Sequence, residues 1–230
     1  MGCTLRKPNI DQEKILGDLE ESLGFSDHTS EELDLHLRKF STNNRLNQSQ
    51  LIDFLNTLKL VAWNNRKQII AFYDKFQVEP GKYLLKPLLV MVIMMGNSPS
   101  HIKAKLIFEA YDTENSKRFS ISTLQEILDL MLSISLDKLP ALSEIKFYSV
   151  EIIKRYILVL NENRITAKNH MLKLLLPFDR AVNDYIYKDQ FIINCYKEEP
   201  ASILLTPEGL RTFIYTLNKS AGQCQAIIPK

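Results

Sequence analysis

The sequence predicts an all-α protein: four tandem helix–loop–helix units in two lobes, with short strands pairing the loops. Extra helices are expected at the N-terminus and between the third and fourth units. Three observations carry this expectation. Apolar residues recur at helical spacing, as in Leu106, Ile107, Ala110 and Tyr111, then Leu124, Ile127, Leu128, Leu130 and Met131. Polar loops separate successive helices, and each brings one apolar residue to a matching place before the next helix: Leu46, Leu84, Phe119 and Ile186. Only seven glycines and nine prolines occur in 230 residues, which suits a helical chain better than a sheet-rich one.

Composition narrows the class further. A hydrophobic fraction of 45% and a charged fraction of 24% are those of an ordinary globular protein with a real core. A net charge of +2 gives no overall electrostatic case for a nucleic-acid partner. Cys3, Cys195 and Cys224 are odd in number and lack metal-ligand spacing, so no disulfide framework is expected. The longest apolar run, Leu88 to Met95, is too short to span a bilayer. Arg6 and Lys7 are followed by polar sequence, not by the apolar stretch of a signal peptide. An intracellular, cytoplasmic protein is expected.

The elements follow in order. Met1-Gly2-Cys3 would expose Gly2 on methionine removal, making Gly2 a candidate for myristoylation and Cys3 for palmitoylation. Two acyl chains would anchor the chain at a membrane surface, although Arg6 stands where that motif usually has Ser or Thr. Asp11 to Leu23 reads as a short amphipathic helix with Leu16, Leu19 and Leu23 on one side. Ser30-Glu-Glu-Leu33 opens a second helix that runs to about Phe40. Helices are expected at Ser49–Leu60, Asn65–Phe76 and Lys86–Gly96. In the last, Met91, Met94 and Met95 either fill a core or line a target groove, and core filling is favoured. Beyond Ile134 a long helix is expected from Ser143 to Leu160, another through Leu176, and a last one from Pro207 to Leu217 with a flexible tail from Ser220.

The stretch Lys103–Leu132 carries the most chemistry. Between its helices, Asp112, Glu114, Ser116, the carbonyl of Arg118, and Ser120 place oxygens at alternate positions, followed by helix. This layout resembles an EF-hand, a helix, twelve-residue calcium loop and helix. The resemblance extends over about Ser30 to Leu217 through three further candidate loops around Leu46, Leu84 and Ile186. It is similar to the neuronal calcium sensor and calcineurin B branch, and Glu199-Pro-Ala-Ser-Ile-Leu-Leu205 also to calaxin-like ciliary EF-hand proteins. The resemblance implies four hands in two lobes that grip helical targets in apolar grooves.

The calcium chemistry departs from that pattern. The sixth loop position should be glycine and is Lys117; the twelfth should be a bidentate Glu and is Thr123. The fourth loop keeps Asp179 and Asn183 but has Ala181 and Gln190 at positions three and twelve, and the first has Gln50 at twelve. Without the terminal Glu, calcium has no lever with which to favour an open state. The expectation is a calcium-independent adaptor that binds an amphipathic helix of a larger assembly, with no resident cofactor. Two alternatives stay open. One is a structural subunit of an axonemal or cytoskeletal complex; the other is a weak Ca²⁺ sensor through Asp112, Glu114, Ser116, Arg118 and Ser120. Scattered histidines (His28, His36, His101, His170) and the absence of a glycine-rich phosphate loop argue against an enzyme. The expected organisation is an anchor and short helix in 1–29, a first lobe in 30–97, a second in 98–198, and a C-terminal helix and tail in 199–230.

Overall fold

The computed structural model describes residues 10–60, 66–146, 148–176, 184–197 and 200–225. It is mostly helical, with two small antiparallel sheets. Helix α1 (Ile10–Glu21) buries Leu16 and Leu19, and Leu23 just beyond it. Gly24, at φ 78°, turns the chain into a 3-10 turn whose Phe25 is buried. Helix α2 (Ser30–Phe40) starts because the Thr29 side chain accepts the Glu32 N–H at 3.1 Å. Glu31 and Glu32 lie in its first turn and Arg38 and Lys39 in its last, each complementing the helix dipole.

Strand β1 (Arg45–Asn47), helix α3 (Gln48–Thr57), helix α4 (Arg66–Tyr73), the hairpin β2 (Gln77–Glu79) and β3 (Lys82–Leu84), and helix α5 (Leu85–Met95) complete the first half. Strand β3 lies between β1 and β2, with Leu46 opposite Tyr83. This corrects the sequence expectation. The inward residue is Tyr83, fully buried, whereas Leu84 is 38% exposed. In Tyr83-Leu84-Leu85 every side chain is bulky and largely apolar, so the hairpin turn at Gly81 (φ 70°), not hydrophobicity, fixes which one faces inward. Helix α5 is apolar all round because α2 and a later helix pack around it. Met91 and Met94 are buried there and Met95 packs against the core, so these methionines line no open groove.

The second half repeats the plan with α6 (Ser100–Tyr111), β4 (Arg118–Ser120), α7 (Ile121–Ser133), α10 (Arg164–Leu175), β5 (Tyr185–Tyr187) and α11 (Lys188–Tyr196). Between α7 and α10 stand a π-helical turn (Ile134–Lys138), α8 (Ala141–Ile145) and α9 (Val150–Asn161). The single helix expected from Ser143 to Leu160 is therefore two. Ser149 adopts φ 51° and separates them. The break lets α8 pack on both α4 and α1 while α9 packs on α1 and on the C-terminal helix α12 (Pro207–Gln225). Helix α12 also runs past Leu217, into the segment expected to be a flexible tail.

Strands β4 and β5 pair with Phe119 opposite Ile186. Behind them Phe108 stacks on Phe119 with ring centres 4.6 Å apart, and Phe191 meets Phe119 edge-on at 5.4 Å. One contiguous apolar core runs through both halves, because α2 and α5 of the first both pack on α6 of the second. Among the described residues no helix is long and apolar enough to cross a membrane.

Lys103 is the exception to an apolar interior in α6. It is 4% exposed, and its Nζ donates to the Met94 carbonyl at 2.8 Å, in the last turn of α5. Burial pulls its pKa down to about 8. Up to that pH the fold holds a buried charge, whose penalty fades as the pH climbs toward the ordinary lysine value of 10.5. Lys103→Met should therefore raise stability at pH 7 by about 2 kcal/mol, the desolvation term outweighing one lost hydrogen bond. Denaturant melts across pH 7–10.5 check this: the gain should shrink as the pH rises.

Candidate functional site

The third loop is held shut by its own side chains. Asp112 ends α6, and its Oδ1 accepts the Ser116 N–H at 2.7 Å and its Oδ2 the Lys117 N–H at 2.8 Å. The Ser116 hydroxyl lies 2.9 Å from Asp112 Oδ1 and 2.8 Å from the Arg118 carbonyl, so its one proton bridges two of the expected ligands. Ser120 is spent on the next helix: its Oγ accepts the Thr123 N–H at 3.1 Å and caps α7. Thr123 Oγ1 turns back to the same oxygen at 3.0 Å. Glu114 is exposed. Burial alone would raise the Asp112 carboxyl; the hydrogen bonds from Ser116 and Lys117, with the charge of Lys188, outweigh it and hold the pKa below the usual aspartate value.

The backbone at the sixth position adopts φ 58°, the left-handed turn that an EF-hand assigns to glycine, although the residue is Lys117. The two cations beside the loop, Arg118 within it and Lys188 at the start of α11, are both engaged elsewhere. Arg118 lies over the Tyr185 ring at 4.5 Å, and Lys188 pairs with Glu109 at 2.7 Å. Of the five expected residues, Asp112, Ser116 and the Arg118 carbonyl thus meet in a hydrogen-bonded closure, while Ser120 caps α7 and Glu114 is exposed. Their donor set fits calcium poorly: one aspartate with both oxygens engaged, one exposed glutamate, neutral hydroxyls, and Thr123 where a bidentate carboxylate would close the site. No three His, Cys, Asp or Glu side chains converge on a metal-sized space among the described residues.

The first loop is closed in a related way. Gln50, at position twelve of the first, accepts the Asn47 N–H through Oε1 at 2.8 Å and donates to Thr42 at 3.0 Å, while Asn47 returns the bond to Gln50. This reciprocal capping box starts α3. Gln190, at position twelve of the fourth, bonds Asn194 along α11. Asp179, Asn183, Gly2 and Cys3 lie outside the described residues.

A second cluster has no counterpart in the sequence reading. Arg211 of α12 is completely buried. Its Nε donates to Glu13 Oε1 at 2.8 Å, its Nη2 to Glu13 Oε2 at 3.0 Å and its Nη1 to Glu20 Oε1 at 2.7 Å. Tyr156 of α9 donates to Glu13 at 2.6 Å, and the Ser135 carbonyl of the π-helical turn lies 3.3 Å from Arg211 Nη1. Burial, with Glu13 and Glu208 nearby, pushes the Glu20 carboxyl up by more than Arg211 draws it down. The signal available in sequence was a charge inside an apolar stripe, since Arg211 sits among Leu210, Phe213 and Ile214, all buried.

A groove of about 310 Å³ opens beside α9, lined by Leu136, Pro140, Ile153 and Ile157 among others. Its rim charges are already paired, Asp137 with Arg164 and Glu144 with Lys154. Neither a protein-family model, nor a curated protein, nor a solved structure matches this chain.

Proposed function

We propose that the chain is an EF-hand-type interaction module, independent of calcium, that holds a helical segment of a larger assembly. The single observation that carries this reading is the third loop. It keeps the strand pairing of a hand, Phe119 opposite Ile186, while the Ser116 hydroxyl bridges Asp112 and the Arg118 carbonyl. A cation entering there must break these bonds and gains no terminal carboxylate in return, so it has little differential affinity with which to drive a conformational change. The scaffold persists without a switch. Acyl chains on Gly2 and Cys3 would add a membrane tether to the same module.

Calcium titration by calorimetry tests the reading. The expected result is no heat of binding up to about 1 mM calcium, the weak end of the range for such sites. A micromolar site that disappears in Asp112→Ala would instead make the protein a sensor.

A further inference from the structure

Helix α1 is attached to the body in an unusual manner. It lies across α8 and α9 and reaches α12 through Arg211. Its buried face carries Glu13, Leu16, Leu19 and Glu20, with Leu23 just beyond its end, so two carboxylates seven residues apart share a face with a leucine stripe. Both carboxylates grip one guanidinium in a dry site, which leaves one negative charge uncompensated or one proton taken up. Replacing such an ionic grip by apolar residues is often neutral or stabilising, so the grip selects what may lie there more than it strengthens the hold. The helix is also weakened from within. Gly17 stands at its middle, and nothing lies within 4 Å of the position a Cβ would take there. No packing reason requires glycine at this site, yet it lowers helix propensity. At its C-terminal end the chain leaves through Gly24 in the left-handed conformation.

We infer that the cradle of α8, α9 and Arg211 is the docking site for a partner helix, and that α1 is its resident, displaceable occupant. The chemistry of α1 describes the partner: an amphipathic helix with leucines at i, i+3 and i+7 and two carboxylates seven residues apart on the same face. Arg211 is the specificity-determining group, because a helix without the carboxylates would leave its charge buried and unpaired. This inference rests on the helix-binding reading above and names its site.

The test uses the full chain and one position where an added Cβ would meet nothing within 4 Å. Gly17→Pro breaks α1 without altering the cradle, and Gly17→Ala strengthens it. A fluorescein-labelled peptide of residues 10–24 serves as the probe, read by anisotropy. The Gly17→Pro protein should bind it at least about tenfold more tightly than wild type, and Gly17→Ala about fivefold more weakly. A peptide with Glu13→Gln and Glu20→Gln should lose most of that affinity. Equal binding by all three proteins would overturn the cradle as the site while leaving a helix-binding function intact elsewhere. Hydrogen exchange on the wild type needs no variant: amides of α1 should exchange at least about tenfold faster than those of Leu106 and Ile107, since a strap opens without global unfolding. Exchange of both at one common rate would make α1 an integral part of the core and overturn the inference.

Discussion

Arg211→Met will destabilise the protein by roughly 3–5 kcal/mol at pH 7, the range for removing one partner from a buried ion pair. The side chain has no exposure, and methionine fills much of its length, so the loss is electrostatic and not a cavity effect. Glu13 and Glu20 are left facing each other, with Glu208 of α12 near Glu20, and Tyr156 supplies only one hydroxyl to Glu13. The penalty depends on pH with a definite sign. A carboxyl whose folded value is raised binds its proton more tightly in the fold than in the unfolded chain. Its stabilisation is therefore complete below about 4.5, the ordinary glutamate value, and is lost as the pH rises through the raised value. The wild type should show this dependence from Glu20, and Arg211→Met should exaggerate it. Urea melts at pH 4.5 and pH 7 measure the difference: the variant's deficit should be smaller at the acid end.

Gly209→Ala is expected to be nearly as damaging, against the usual sign. In an ordinary helix this exchange gains about 1 kcal/mol. Here a Cβ would lie 2.0 Å from the Ile203 carbonyl oxygen and 2.7 Å from Thr206 Oγ1. The carbonyl belongs to the 3-10 turn Ala201–Ile203, and Thr206 bonds the Gly209 N–H at 3.1 Å, so neither can yield without undoing the start of α12. Overpacking of this kind costs about 1–3 kcal/mol, occasionally more, and the backbone clash puts the net effect near 3 kcal/mol of lost stability. Thermal melting of the variant checks it; a rise in Tm would mean that the turn is freer to move than its contacts indicate.

Much of the fold was legible because its signals are local. Leu46 and Phe119 stand alone among polar neighbours in a short extended stretch, Ile186 alternates with the exposed Tyr185 and Tyr187, and each of the three is buried and pairs across a strand. Tyr83 was missed in favour of Leu84 because the turn at Gly81 sets the register there. The split between α8 and α9 was hidden because Ser143 to Leu160 has helical periodicity throughout; competing demands from α1, α4 and α12 make the break. The ligand positions around Asp112 were readable, but their closure through Ser116 depends on hydroxyl directions that spacing does not carry. Arg211 and Glu13 are 198 residues apart, and a pairing over that distance leaves only an odd charge in an apolar stripe as its trace.

The most direct measurement is an amide chemical-shift titration of the full protein with calcium, followed at Ser116 and Lys117. Their N–H groups report on the Asp112 carboxylate, which accepts both of them. A loop closed on itself predicts shifts that stay fixed up to about 1 mM calcium. Shifts of these two amides that saturate at micromolar calcium, and vanish in Asp112→Ala, would show that a cation displaces the Ser116 bridge and would contradict a calcium-independent module.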